Sequence, residues 1–264
     1  SDTWSPVRTD IAGLVGIAEC GPLHTPLCIN SWRQYKAIFG GHIREGHLAY
    51  AVQGFFANGG RSCYVVRVAD PDAAENAQID LHDPRSGACF RLTAGSPGVW
   101  ANRLEISVLF TAGQRFTLIL ESPSQGLKEI WHDLSLESSD ERHVVRVLSP
   151  ARRTALNCSE PPDPIQPSTA GSQLVKACLL DHYSPSLSSI MRIGSAQNRG
   201  RMEGGKNGLR TLQPEHLNGE LGETPKTDKQ GKPIRWGLAA LADVPQVALV
   251  AMPDLIPPRE QSLP

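Results

Sequence analysis

The sequence predicts an α/β (α+β) chain in which a discontinuous α/β core domain is interrupted by an inserted β-rich domain. Three observations point there. Two nearly continuous apolar runs, Ile11-Ala12-Gly13-Leu14-Val15-Gly16-Ile17-Ala18 and Cys63-Tyr64-Val65-Val66-Arg67-Val68, read as strands covered on both faces, with helical periodicity between them. From Cys89 to about Leu136 the apolar period changes from about 3.6 to about 2. A third run, Val247-Ala248-Leu249-Val250-Ala251-Met252, then reads as another fully buried strand. The core domain is expected over residues 1–70 plus 200–256, the β-rich domain over 85–160, and a proline-rich linker over 159–172.

The first strand is broken by Gly21-Pro22. Ser31-Trp32-Arg33-Gln34 fits a capping box, with serine at the N-cap and glutamine three residues on. Trp32, Tyr35, Ile38 and Phe39 then share one helix face before Gly40-Gly41. A second helix follows, with Leu48, Ala51, Val52, Phe55 and Phe56 on its apolar face, which makes Phe55 and Phe56 expected core anchors. Asn58, Gly59 and Gly60 readily take the left-handed conformation that ends a helix. Strand, two helices and strand make a compact crossover unit.

After an acidic connector at 70–75, Leu104, Ile106, Val108 and Phe110 alternate with smaller or polar residues. Thr111-Ala112-Gly113-Gln114 turns the chain, and Phe116, Leu118 and Leu120 alternate on the way back, as a β-hairpin requires. Residues 140–148 fit a short helix with Val144, Val145 and Leu148 inward. Four prolines in 159–172 exclude regular ladders, and residues 194–232 read as a second weakly structured stretch. Residues 236–242 fit a short helix leading to the last strand.

A chain of 264 residues with 40% hydrophobic content can bury a sizeable core. Its net charge of −1 gives no field favouring nucleic acid or an anionic membrane. No apolar run approaches the roughly 20 residues of a membrane span. Neither a nucleic-acid partner nor membrane insertion is expected. The cysteines (Cys20, Cys28, Cys63, Cys89, Cys158, Cys178) are scattered, without a C-x-x-C pair, and several sit in apolar stretches. Reduced, buried thiols made in a cytoplasm are expected. The N-terminus, Ser1-Asp2-Thr3-Trp4, has neither methionine nor a signal-peptide pattern, which suggests a processed or truncated chain.

Gly200-Arg201-Met202-Glu203-Gly204-Gly205-Lys206-Asn207 has the G-x-x-x-x-G-K spacing of a phosphate-binding loop, whose backbone N–H groups cradle phosphates beside a lysine. Asn207 stands where a magnesium-binding hydroxyl belongs, and no apolar strand precedes Gly200, so a glycine-rich surface turn is the favoured reading. Arg192, Arg199, Arg201, Lys206 and Arg210 form a basic stretch without aromatic platforms: a solvated face, or a contact for an acidic partner surface. His42 and His47 lack partners at metal-ligand spacing and read as solvated. Nothing in the spacing places two of the carboxylates Glu129, Asp133 and Asp140 across a cleft. No residue is assigned as catalytic, cofactor-binding or metal-ligating, and no cofactor or enzymatic activity is expected.

In several separated places the wording resembles one family. Thr9-Asp10-Ile11-Ala12-Gly13-Leu14-Val15-Gly16 with Gly21-Pro22, then Ser31-Trp32 and Phe39-Gly40-Gly41, are similar to the opening of contractile tail sheath proteins. Ala51-Val52-Gln53-Gly54-Phe55-Phe56-Ala57-Asn58-Gly59-Gly60 followed by residues 63–68 is the strongest part of the likeness. Pro97-Gly98-Val99-Trp100-Ala101-Asn102 resembles the family's Pro-Gly-x-Trp-x-Asn turn. Gly204-Gly205-Lys206-Asn207-Gly208 resembles its Gly-Gly-x-Asp-Gly turn, with Asn207 in place of the acid. Gly237-Leu238-Ala239-Ala240-Leu241 and residues 247–254 resemble the closing helix and strand.

The matches run in family order over residues 9–254, so the chain resembles a sheath subunit truncated at both ends, of a phage tail or an extracellular contractile injection system. The resemblance implies a structural subunit in hexameric rings, stacked helically around an inner tube, with baseplate and cap proteins as further partners. It implies contraction that drives the tube through a target envelope, and assembly in a bacterial cytoplasm within a phage tail or a released tail-like particle. The alternatives are a nucleotide-binding enzyme using the loop from Gly200 to Asn207 and a non-contracting tail adaptor or cap.

Overall fold

The structure, a computed structural model, describes residues 11–83, 87–111, 115–123, 125–149, 171–180, 199–219 and 235–255. These sort into two compact units: described residues up to 70 and from 209 onward form one, those from 71 to 208 the other.

The first unit begins with β1 (Ile11–Gly16), buried along its whole length. After β2 (Leu27–Ile29) comes α1 (Trp32–Phe39), whose start shows a displaced capping box. The Ser31 hydroxyl accepts the Gln34 N–H at 3.1 Å, but the Gln34 side chain reaches the N–H of Asn30 instead of Ser31. α2 (Leu48–Ala57) ends at Asn58, and Gly59 takes the left-handed conformation at φ 91°. β3 (Ser62–Arg67) runs parallel to β1 over its full length and antiparallel to β2.

Arg67 at the end of β3 is 1% exposed, and its guanidinium donates to the carbonyls of Ala18 (3.1 Å), Gly21 (2.7 Å) and Glu19 (3.4 Å). Burial pushes its pKa down to about 10, against the opposing pull of Cys20, Tyr35 and Glu19. A charge in an apolar run is thus satisfied by the carbonyls following β1.

The second unit is built of antiparallel ribbons. β4 (Ala74–Glu75), β5 (Gln78–Asp83) and β6 (Gly87–Ala94) lead through a 3₁₀ turn at Val99–Arg103 into β7 (Glu105–Thr111), β8 (Arg115–Ser122) and β9 (Leu127–Leu134). The hairpin of β7 and β8 pairs Glu105 with Glu121 through Thr111 with Arg115, as the alternation predicts. Residues 112–114 of its turn lie outside the described residues. α3 (Val144–Leu148) is shorter than the predicted helix: Asp140 sits in the turn before it, and Val145 is only half buried.

β10 (Val175–Leu179), β11 (Arg199–Arg201) and β12 (Lys206–Asn207) complete this unit. The sheets run β10-β6-β5, β11-β7-β8-β9 and β12-β4. Phe90, Leu92, Ile106, Val108, Phe116, Leu118 and Leu120 are buried, with the Phe90 and Phe116 rings 6.0 Å apart. Residues 199–207, expected in the α/β domain and read as weakly structured, therefore pair with strands of the β-rich unit.

The chain returns to the first unit with α4 (Pro214–Asn218), where Pro214 opens a helix, a position that loses no backbone hydrogen bond. A 3₁₀ helix at Gly237–Asp243 leads to β13 (Leu249–Ala251), which joins β1 in parallel to give the order β13-β1-β3-β2. Tyr35, Phe39, Leu48 and Val52 pack on one face of this sheet, against Ala12, Leu14, Cys63 and Val65. Leu217, Ala240, Leu241 and Val244 pack against Ile11, Val15, Tyr64 and Val66 on the other. Helices on both faces explain the apolar runs at β1 and β3.

Three further expectations are corrected. β13 lies at the sheet edge, with Leu249 64% and Val250 43% exposed, so it is not a fully buried strand. Phe55 and Phe56 are half buried, packed against the core's margin. Cys28, on edge strand β2, is disulfide-bonded, whereas Cys20 and Cys63 are buried free thiols and Cys178 an exposed one. Apolar context marks a cysteine as buried without distinguishing a thiol from a bridge. The linker expected at 159–172 lies almost wholly outside the described residues.

Candidate functional site

In the β-rich unit, two turns far apart in sequence clasp each other. The 3₁₀ turn Val99–Arg103 is entered through Gly98, whose N–H donates to the Glu75 carbonyl at 3.1 Å. Trp100 is buried, its indole N–H donating to the Ser96 carbonyl at 3.3 Å. The Asn102 side chain accepts the Gly205 N–H (2.8 Å) and donates to the Gly205 carbonyl (3.0 Å), so one amide replaces a strand neighbour. Asn207 Oδ1 in turn accepts the Val99 N–H at 2.8 Å, satisfying the first donor of the 3₁₀ turn. A Cβ at Gly205 would stand 2.3 Å from the Gly98 carbonyl oxygen, so the backbones meet too closely for any side chain.

This geometry accounts for the apparent phosphate loop. Gly200 lies inside β11, paired with Ile106, and β12 rather than a helix follows Gly205. The Met202, Glu203 and Gly205 N–H groups already donate to Leu104, Gln78 and Asn102. Lys206 Nζ holds Glu75 at 2.7 Å across the β12–β4 pair. A phosphate cradle needs converging free N–H groups and a helix N-terminus; these residues build a turn instead.

Of the other singled-out residues, Asp133 and Asp140 are brought together on one guanidinium, that of Arg115, as a structural ion pair. Arg201 pairs with Glu105 at 2.6 Å, and Arg192 lies outside the described residues. Glu129 accepts from the Ser172 hydroxyl, the Gln173 N–H and the Trp131 indole. His42 lies against the rings of Trp32 and Tyr50, 5.1 and 4.3 Å away. No cluster of three metal-ligating side chains occurs among the described residues. No helix there is long and apolar enough to cross a membrane.

Two buried polar sites escaped sequence reading. Asp254, with a side chain 2% exposed, accepts the Ile17 N–H at 2.7 Å and the His47 N–H at 2.5 Å, and lies 3.3 Å from His47 Nδ1. It places a carboxylate at the start of α2, where the helix dipole favours negative charge and no local side chain caps. The second site is His24, bonded to Ala69 and Gly237. Neither had a local signal, because the partners lie up to 237 residues away. Within the core, burial raises the Tyr35 hydroxyl pKa strongly and that of the Cys63 thiol to about 12, so neither is a ready nucleophile.

No protein-family model matches the sequence. No curated protein matches it either. Among solved structures, the chain is similar to a sheath tail protein of Listeria innocua, at 12% identity and a TM-score of 0.45, over 77% of this chain and 35% of that one. It is also similar to a sheath tail protein of Desulfitobacterium hafniense, at 10% identity and a TM-score of 0.42, over 79% of this chain and 38% of that one. The chain thus spans little more than a third of the length of either.

Proposed function

We propose that this chain is a structural subunit of a contractile tail sheath. One observation carries the reading: the two turns with family-like wording, 97–102 and 204–208, bond each other directly through Asn102 and Asn207. Asn207 differs from the family's acid yet supplies the same kind of oxygen acceptor. The residues act by holding backbone together, which suits a protein that works as a rigid body. In this reading the α/β unit is the sheath core and the β-rich unit an excursion from it.

Subunits stack in hexameric rings around an inner tube between baseplate and cap, assembled in a bacterial cytoplasm. Contraction is a switch between two sets of subunit contacts and needs no nucleotide. The consumed N–H groups of the loop at 200–207 argue against the nucleotide-binding alternative. Negative-stain microscopy of the protein at its full natural length tests the proposal. Tubes or stacked rings are expected. Single unstacked rings would favour the adaptor or cap, and dispersed monomers at high concentration would overturn the sheath reading.

A further inference from the structure

In the α/β unit, the turn after β1 and the returning segment, described at 209–219 and 235–243, meet at His24. Its Nε2 lies 2.8 Å from the Ala69 carbonyl oxygen, which can only accept, so Nε2 carries the proton. Its Nδ1 accepts the Gly237 N–H at 3.0 Å, so Nδ1 carries none. Both bonds exist together only for the neutral ring. Trp236, beside Gly237, has its ring 5.8 Å from His24 and 6.0 Å from His216.

We propose that His24 is a pH-sensitive latch on the returning segment: neutral, it ties Gly237 to Ala69; doubly protonated, it turns Nδ1 into a donor facing the Gly237 N–H, and the tie is lost. The charged surroundings reinforce this. Burial is the largest influence lowering the His24 pKa, the Ala69 bond opposes it, and His216 on α4 and Arg67 on β3 lower it further. His216 itself accepts the Gln213 N–H through Nδ1 and has Nε2 3.8 Å from Asp70, which also accepts from Thr211. Arg235 and Asp243, 3.8 Å apart, are the charged pair of the segment around the 3₁₀ helix.

The sign follows from linkage. A released imidazole titrates near its ordinary 6.5, the latched one lower. Well above 6.5 neither state binds the proton and the latch holds fully. As pH falls below that value, the released state takes up protons that the latched state refuses, and the latch weakens. Release uncovers the sheet face of Ile11, Val15, Tyr64 and Val66, because Leu217, Ala240, Leu241 and Val244 leave with the segment.

Hydrogen exchange of the whole chain between about pH 8 and about pH 5, corrected for intrinsic rates, tests this. Protection at 214–219 and 237–243 is expected to drop several-fold on acidification, with the β7–β8 hairpin unchanged. His24→Asn keeps a donor and an acceptor and tolerates the φ of 52°, but does not titrate, so its profile should be flat. A flat wild-type profile, or a variant as steep as wild type, overturns the latch. Should the variant not fold, NMR of wild type decides: the Gly237 amide shift must follow the His24 ring titration, and a midpoint tracking His216, or no movement, overturns the proposal.

Discussion

Asn102 and Asn207 do unequal work, although sequence reading puts both in glycine-containing turns. Asn102 makes two bonds to Gly205 at a partly buried site, whereas Asn207 makes one exposed bond to Val99. Removing a partner from a buried group costs its desolvation, about 1–3 kcal/mol, while water replaces a lost partner at the surface. Asn102→Ala is therefore expected to cost about 2 kcal/mol and Asn207→Ala about 1 kcal/mol or less. Asn207→Asp retains the acceptor and should stay within about 0.5 kcal/mol of wild type. Urea unfolding gives the order directly, and a larger loss for Asn207→Ala than for Asn102→Ala would contradict the clasp geometry.

At the scale of elements, α2 shows what periodicity conveys and what it omits. The phase was legible: Leu48 and Val52 are wholly buried on the predicted face, and the Asn58-Gly59-Gly60 stop stands where it was read. The depth was not. Ala49 is buried in addition, and Phe55 and Phe56 lie only half covered, Phe55 on an open cleft that Leu14, Ala51, Arg61 and Ala251 also line. Periodicity reports which side of a helix is apolar, whereas burial along its length depends on what the sheet places opposite. A fully buried Phe costs ~3–5 kcal/mol on truncation to Ala. Phe55→Ala and Phe56→Ala should each cost about 1–2 kcal/mol, and Leu48→Ala about 2–5 kcal/mol. Chemical denaturation of the three variants checks this, and equal losses would mean that the helix is evenly buried.

For the whole molecule, the strand runs at β1, β3 and β13 were visible in sequence, yet β2, β5 and β10 were not. β2 is only three residues, directly after Pro26, and β5, Gln-Ile-Asp-Leu-His-Asp, has just two apolar residues in a polar stretch, too few to stand out. An apolar run such as Val247-Ala248-Leu249 records a preference for burial without naming the neighbour that supplies it, which is why β13 reads as central but lies at an edge. The buried polar ties were illegible for a related reason: Asp254 serves N–H groups 207 and 237 residues away. That tie yields the test of the two-unit division. Asp254→Asn leaves one oxygen for two N–H groups and turns an amide donor toward the other, a loss of about 1–3 kcal/mol. Hydrogen exchange should quicken at the start of α2, at Ile17 and along β13, all within the α/β unit. Gly205→Ala forces its Cβ against the Gly98 carbonyl and should quicken exchange around β4, β12 and the 3₁₀ turn at Val99–Arg103 in the β-rich unit. Two compact units that open separately keep each loss within its own unit. Exchange quickening across both units for either substitution would show that they unfold as one.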